Sequence, residues 1–161
     1  MIMKDDLNFL YNWAKNKKFS LKIPITSHEY SNKPVKYCWL KNTMKKSLIR
    51  KTLIDDENIC NILKKSEILF VGFMLFDSGT KLGPHKDPNI YSDPYKRIQI
   101  PLEIPDKELC YMIWKNKKVY WTEGEVQVYE VMDFIHEGHN YSDKPMKFLF
   151  LDVKKDAIVE L

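Results

Sequence analysis

His85 and Asp87 stand two residues apart in "LGPHKDPNIY", between Pro84 and Pro88. In extended chain, residues two apart project to one face, so the imidazole and the carboxylate point together while Lys86 points away. Proline is confined to strand edges and mouths, which puts the pair at the rim of a sheet. Together they could grip one divalent ion. Two ligands leave such an ion under-coordinated, so a third has to come from elsewhere in the chain. The remaining histidines are His28, His136 and His139. His136, in "DFIHEGHN", follows "VQVYE" and precedes "MKFLFLDV". In a closed sheet, strand ends distant in sequence can face each other across one mouth.

Two histidines and one carboxylate on a face are the ligand set of non-haem Fe(II) oxygenases, which keep three positions open for cosubstrate and oxygen. A purely structural pairing of histidine with aspartate is the competing reading of the same residues. Two cations bear on the choice. Lys147 interrupts the apolar run "MKFLFLDV", and a cation there either faces solvent or holds an anion, because burying it unpaired is costly. Arg97 opens "RIQIPL" on a strand expected to face the same cavity, and its planar fork suits a carboxylate. A metal with two such cations nearby would suit a small dicarboxylate cosubstrate.

The elements that must position these residues fall into two halves. Leu7, Leu10, Tyr11 and Ala14 recur at helix spacing behind Asp5 and Asp6. A looped or extended stretch with two prolines follows up to Trp39, a plausible rim. Helical signals then cover 42–50 and a segment after Asp55 and Asp56 with Ile59, Ile62 and Leu63 on one stripe. From Ile68 the pattern changes to short apolar or alternating runs at 68–76, 96–104, 110–114, 118–121, 125–130 and 146–153, divided by turns such as "DSGT", "PDKE", "KNKK" and "TEGE". That spacing predicts a mainly antiparallel sandwich or barrel. The expected organisation is one domain over 1–161, with 1–66 as helical support and rim and 67–154 as the β core.

The 161 residues suffice for one packed core and are short for two. The longest apolar run, "ILFVGFMLF", falls far below the roughly 20 residues of a membrane span. Asp5 and Asp6 stand where a secretory signal would be basic and then apolar, so the expected compartment is the cytoplasm. Cys38, Cys60 and Cys110 form an odd number with no CxxC pair, which suits reduced thiols better than disulfides or a zinc knuckle. The net charge of +4 comes largely from dispersed lysine groups such as "KNKK" at 15–18 and 115–118. Such charge reads as solvated surface, and nucleic acid is not the expected partner. No glycine-rich phosphate loop is present, which excludes P-loop and dinucleotide-binding readings.

The runs "SGTKLGPHKDPN", "RIQIPLEIP" and "WTEGEVQVYEVMDFIHEGHNYSDKPMKFLFLDV" together resemble the aspartyl/asparaginyl beta-hydroxylase family of Fe(II)- and 2-oxoglutarate-dependent oxygenases. The likeness spans 73–153, about half of the chain. It implies a mainly β fold with N-terminal helices, a double-stranded beta-helix of the jelly-roll or cupin-like kind, with the metal at the open end. By this resemblance His85, Asp87 and His136 are the metal ligands and catalytic residues. Lys147 stands at the family's basic position on the last strand, usually arginine, and Arg97 matches its strand-initiating arginine. Gln99 falls where the family has a histidine and Met74 where it has a serine that helps hold the cosubstrate. One branch of the family has glycine two residues after the first histidine, where this chain has Asp87. The implied cofactors are Fe(II), 2-oxoglutarate and O2, and the implied substrate is an amino-acid side chain, in a polypeptide or as a free amino acid such as proline. His139 reads as substrate-facing or structural, His28 as an exposed histidine rather than a substrate contact, and Trp121 with Gly124 as a packed strand-turn feature. Specificity is expected to lie in 22–39 and 89–95. Two other readings stay open: a cupin-like module that binds metal without turnover, and a zinc hydrolase built on the same three ligands.

Overall fold

The computed structural model describes residues 1–18, 23–24, 30–46 and 48–161. His28 and part of the expected rim lie outside the described residues. The chain forms α1 (Lys4–Ala14), β1 (Ile23–Pro24), β2 (Lys36–Asn42), β3 (Leu48–Ile49), α2 (Glu57–Leu63), β4 (Ile68–Phe76), β5 (Lys81–His85), β6 (Tyr95–Glu103), β7 (Cys110–Trp114), β8 (Lys117–Tyr120), β9 (Gln127–Tyr129), β10 (His136–Asn140) and β11 (Met146–Lys154). Asp6 accepts from the Met3 backbone N–H at 2.8 Å at the head of α1, and Asp56 from that of Asn58 at 2.8 Å at the head of α2. Each thereby satisfies one of the donors that a first helical turn leaves free.

The strands form two antiparallel sheets. The larger runs β1-β2-β4-β11-β6-β9, with β3 beside β2, and the smaller runs β5-β10-β7-β8. Their packing makes the double-stranded beta-helix, and the larger sheet is buried on both faces. Leu149, Leu151 and Val153 of β11 share an outer core with Leu7 and Leu10 of α1 and Ile59 and Leu63 of α2. Met146, Phe148 and Phe150 of the same strand turn inward against Cys110 and Met112 of β7. Two-faced burial explains why 146–153 reads as an almost unbroken apolar run.

The turns are cut as their residues require. Lys115 and Asn116, with φ of 50° and 63°, form the two-residue connection between paired Trp114 and Lys117. Positive φ at both positions is the hairpin geometry that follows the natural strand twist. Gly124 has φ of 80° with the Tyr11 ring against its Cα, so a side chain there would be strained and would also collide with α1.

The helix expected over 42–50 does not form. Asn42 ends β2, and its side chain caps a single 3-10 turn by accepting from Met44 N at 3.0 Å. Lys46 then turns left-handed, with φ of 56°, and 48–49 pair back on 41–42. Local capping and ladder closure override helix propensity over so short a stretch. The short strand β10, which lies outside the apolar runs of the sequence, completes the small sheet between β5 and β7.

Lys41 lies on β2, buried, with Nζ donating to the Lys65 carbonyl at 2.9 Å. Burial lowers its pKa to about 8, partly opposed by Glu67. Above that value the folded protein releases the proton while the unfolded chain keeps it up to roughly 10.4. Over that window the unfolded state therefore holds more protons, and stability rises with pH. Lys41→Met is expected to remove this rise. Denaturant midpoints of both proteins between pH 8 and 10 check it, and parallel curves would refute it.

Candidate metal centre

β5 and β10 bring the two histidines together directly, since His85 and His136 are register partners across that ladder. β5 is an edge strand of the small sheet, which is where Pro84 can be tolerated. Beyond His85, the Asp87 backbone N–H donates to the Val131 carbonyl at 3.0 Å and ties the loop to the segment before β10. Asp87 Oδ1 lies 3.3 Å from His85 Nε2 and 3.3 Å from His136 Nε2. One ligand atom from each of the three residues falls within 4.8 Å of the others.

The far side of each ring fixes what the near side presents. His85 Nδ1 lies 2.7 Å from the Gly83 carbonyl and His136 Nδ1 3.1 Å from the Phe134 carbonyl. A carbonyl only accepts, so each Nδ1 carries a hydrogen and each Nε2 is the ring atom that faces Asp87 Oδ1, the position from which it would bind a metal ion. Backbone acceptors behind ligating histidines are the usual means of fixing tautomer and ring orientation in metal sites. The donor set thus fits a divalent ion of the iron type, with one carboxylate, two imidazoles and an open side.

Burial opposes ionisation of Asp87, but the Arg97 charge and hydrogen bonds from His136 and His85 hold its carboxyl well below the usual carboxylate range. For His85 burial works against protonation, yet the Asp87 and Gly83 hydrogen bonds leave its pKa raised. A metal ion would compete with that proton, so binding should release it.

Arg97 and Gln99 both turn inward from β6, and both line a cavity of about 270 Å3 in front of the triad. Arg97 is already committed. Its Nη1 lies 2.8 Å from Asp87 Oδ2, and its Nε and Nη2 donate to Asp152 at 2.7 and 3.0 Å. Gln99 is buried, with its side chain on the cavity wall. The other walls are mostly aromatic and thioether side chains, among them Tyr37, Met74, Met112, Tyr129 and Phe150. Burial raises the Tyr37 pKa to about 12 and also raises that of Tyr129, so these hydroxyls stay protonated near neutral pH. Trp121 packs edge-on against Phe148 at 4.7 Å as expected of a core residue, and it also forms part of the cavity wall. Its indole N–H is turned toward Tyr129 without completing a well-formed hydrogen bond.

Lys147 corrects an expectation. It was to face the cosubstrate, but its neighbours Met146 and Phe148 take the inward face of β11, and strand alternation sends Lys147 to the outer one. There its Nζ lies 3.2 Å from the Lys17 carbonyl, 3.5 Å from Glu103 Oε1 and 5.9 Å from the Phe73 ring centroid. His139 belongs to the outer face of the small sheet. It stacks against Tyr111 at 4.9 Å and Tyr141 at 5.4 Å and contacts Glu137 Oε2 at 3.0 Å. Asp152 carries no role in the sequence analysis, and Tyr91 and Tyr95 enter it only as part of the 89–95 specificity segment. A lone carboxylate in "FLFLDV" carried the same signal as Lys147, a charge inside an apolar strand, and it was Asp152 that turned inward.

The sequence model of the aspartyl/asparaginyl beta-hydroxylase family matches residues 14–156. No curated protein matches the chain. Among solved structures, the plu4264 protein of Photorhabdus luminescens is 10% identical over 87% of this chain and 88% of its own, with a TM-score of 0.51. The Cnp3 cupin domain of Schizosaccharomyces pombe is 7% identical over 78% and 68%, with a TM-score of 0.47. A predicted oxalate decarboxylase of Thermotoga maritima is 14% identical over 77% and 84%, with a TM-score of 0.46. Among the described residues no helix is long and apolar enough to cross a membrane.

Proposed function

The chain belongs to the aspartyl/asparaginyl beta-hydroxylase family, and from that premise we propose that it is an Fe(II)- and 2-oxoglutarate-dependent dioxygenase that hydroxylates an amino-acid side chain. The substrate would be an aspartyl, asparaginyl or related residue of a polypeptide, or a free amino acid. The observation that carries the reading is the convergence of His85 Nε2, His136 Nε2 and Asp87 Oδ1 before a largely apolar cavity, with both Nδ1 atoms tied to backbone carbonyls.

His85, Asp87 and His136 would hold the iron. When bound, Fe(II) and 2-oxoglutarate supply the oxygen-activating chemistry that inserts a hydroxyl into an unactivated C–H bond. The protein's own part is to bind, orient and exclude water. Arg97 gives two of its five N–H groups to Asp152 as hydrogen bonds and turns Nη1 to Asp87 as an ion pair, which leaves two N–H groups, one on Nη1 and one on Nη2. Those two and the Gln99 amide are the groups that would receive the far carboxylate of the cosubstrate. The Asp87–Arg97–Asp152 group carries one formal negative charge in excess, so an entering dianion meets repulsion until a divalent ion reverses the sign. The apolar walls keep water from the reacting centre.

The test is an anaerobic titration with Fe(II) and then 2-oxoglutarate, following the visible charge-transfer band of an iron-chelated keto acid, with 2-oxoglutarate added alone as the control. The band is expected only when metal is present. Metal binding without the band, and without 2-oxoglutarate-dependent oxygen uptake, would favour instead a module that binds metal without turnover. The outward placement of Lys147 gives that second reading some footing. Lys147→Met is expected to leave the 2-oxoglutarate KM within about twofold of the parent, because uniform-binding losses appear only for groups that touch the ligand. A rise of roughly tenfold or more would return Lys147 to the site.

A further inference from the structure

We propose that Arg97, locked by Asp152 and Tyr91, is a positioning residue that makes Asp87 a one-oxygen ligand and so keeps coordination positions open. The proposal rests on the metal-centre reading above. The two oxygens of Asp87 have different surroundings. Oδ1 faces both histidines at 3.3 Å, while Oδ2 is ion-paired with Arg97 Nη1 at 2.8 Å and accepts from the Tyr95 hydroxyl at 3.5 Å. Carboxylates bind cations through one oxygen or two, and the oxygen already held against a guanidinium is the less available of the pair.

What holds Arg97 in place is a second carboxylate that cannot reach solvent. Asp152 is 1% exposed and is the cross-strand partner of Arg97 between β11 and β6. It accepts from Arg97 Nε and Nη2 through both oxygens, and Oδ2 also accepts from the Tyr91 hydroxyl at 2.8 Å. The guanidinium lies 4.9 Å from the Phe150 ring centroid, which limits its other side. A bidentate pair of this kind fixes orientation as well as charge. The larger sheet thus presents a rigid cation to a ligand that arrives on a loop from the smaller sheet.

Two failures of the brace have opposite signatures. If Asp152 loses its charge, the fork is free to turn and take both oxygens of Asp87, in competition with the ion. If both charges are removed together, Asp87 Oδ2 is released and can join Oδ1 on the metal, filling a position meant for cosubstrate. The double change removes Asp152 and its guanidinium partner together, so neither member of that pair is left as an unpaired buried charge.

The experiment is an anaerobic Co(II) titration of the apoprotein, followed by visible absorption, whose intensity falls as coordination number rises. Asp152→Asn is expected to weaken Co(II) binding by about tenfold to a hundredfold, the range of outer-sphere partners of metal ligands. The double variant Arg97→Gln with Asp152→Asn is expected to retain Co(II) but with a weaker visible band. Tyr91→Phe should shift affinity in the direction of Asp152→Asn by a smaller factor. If Asp152→Asn does not fold, the double variant and Tyr91→Phe decide. Parent-like affinity and band in the folded variants would overturn the proposal. Altered Co(II) behaviour in a protein that shows no keto-acid band with iron would uphold the brace and defeat the oxygenase reading. Absence of Co(II) binding by the parent would defeat both.

Discussion

His136→Ala is expected to lower metal affinity by on the order of a thousandfold or more, beyond the tenfold to hundredfold of an outer-sphere loss, and to abolish the proposed hydroxylation. The reason is the arithmetic of the ligand set. Only His85, Asp87 and His136 converge among the described residues, so removal of one leaves two, too few to hold a labile divalent ion. His136 also has a place that no neighbour can fill. Its ring is set by the Phe134 carbonyl and lies 4.3 Å from His85 and 6.0 Å from Trp114. Co(II) titration and 2-oxoglutarate-coupled oxygen uptake measure the two effects separately. The substitution truncates a side chain at the cavity, so a folded variant with parent-like thermal stability is the necessary control. Retention of coupled turnover in that variant would remove His136 from the centre.

The second large effect is on stability. Phe148 is fully buried on the inward face of β11, packed edge-on against Phe76 at 6.2 Å and Trp121 at 4.7 Å. Its strand is the hub of the larger sheet, paired to β4 on one side and β6 on the other. Truncation removes the transfer free energy of the ring and leaves a void that rigid sheet backbones on both sides cannot close. Phe148→Ala is therefore expected to cost about 3–5 kcal/mol. For a domain of this size that is roughly a 10 °C fall in Tm or more. Urea unfolding at constant m-value checks it. A loss below about 1 kcal/mol would mean that the inner core can collapse around the gap, contrary to close packing.

Much of the site was legible because it rests on local rules. The two-residue spacing of His85 and Asp87, and their prolines, depend only on extended chain geometry, and the structure does set both side chains on one side. The apolar rhythm after Ile68 gave the strands because inner and outer cores each leave a residue-level trace. The family likeness identified His136 as the partner, and the ladder between β5 and β10 places it opposite His85.

What the sequence could not determine is which side of a doubly buried strand is the inside. Along β11 both faces are apolar, so hydropathy is the same whether Lys147 or Asp152 turns to the cavity, and only the register with β4 and β6 decides. The same holds for Arg97. Its residue type promised a carboxylate partner, but which one depends on Asp152, 55 residues away, being its cross-strand neighbour. A helix over 42–50 gave way because the Asn42 side chain caps a 3-10 turn and 48–49 pair with 41–42 of β2. The sequence by itself determined the ligand types, their spacing and the alternation of the strands, since these follow from chain geometry and residue chemistry. Only the tertiary structure decided face, partner and commitment of each charge, because those depend on pairings between strands that no local pattern encodes.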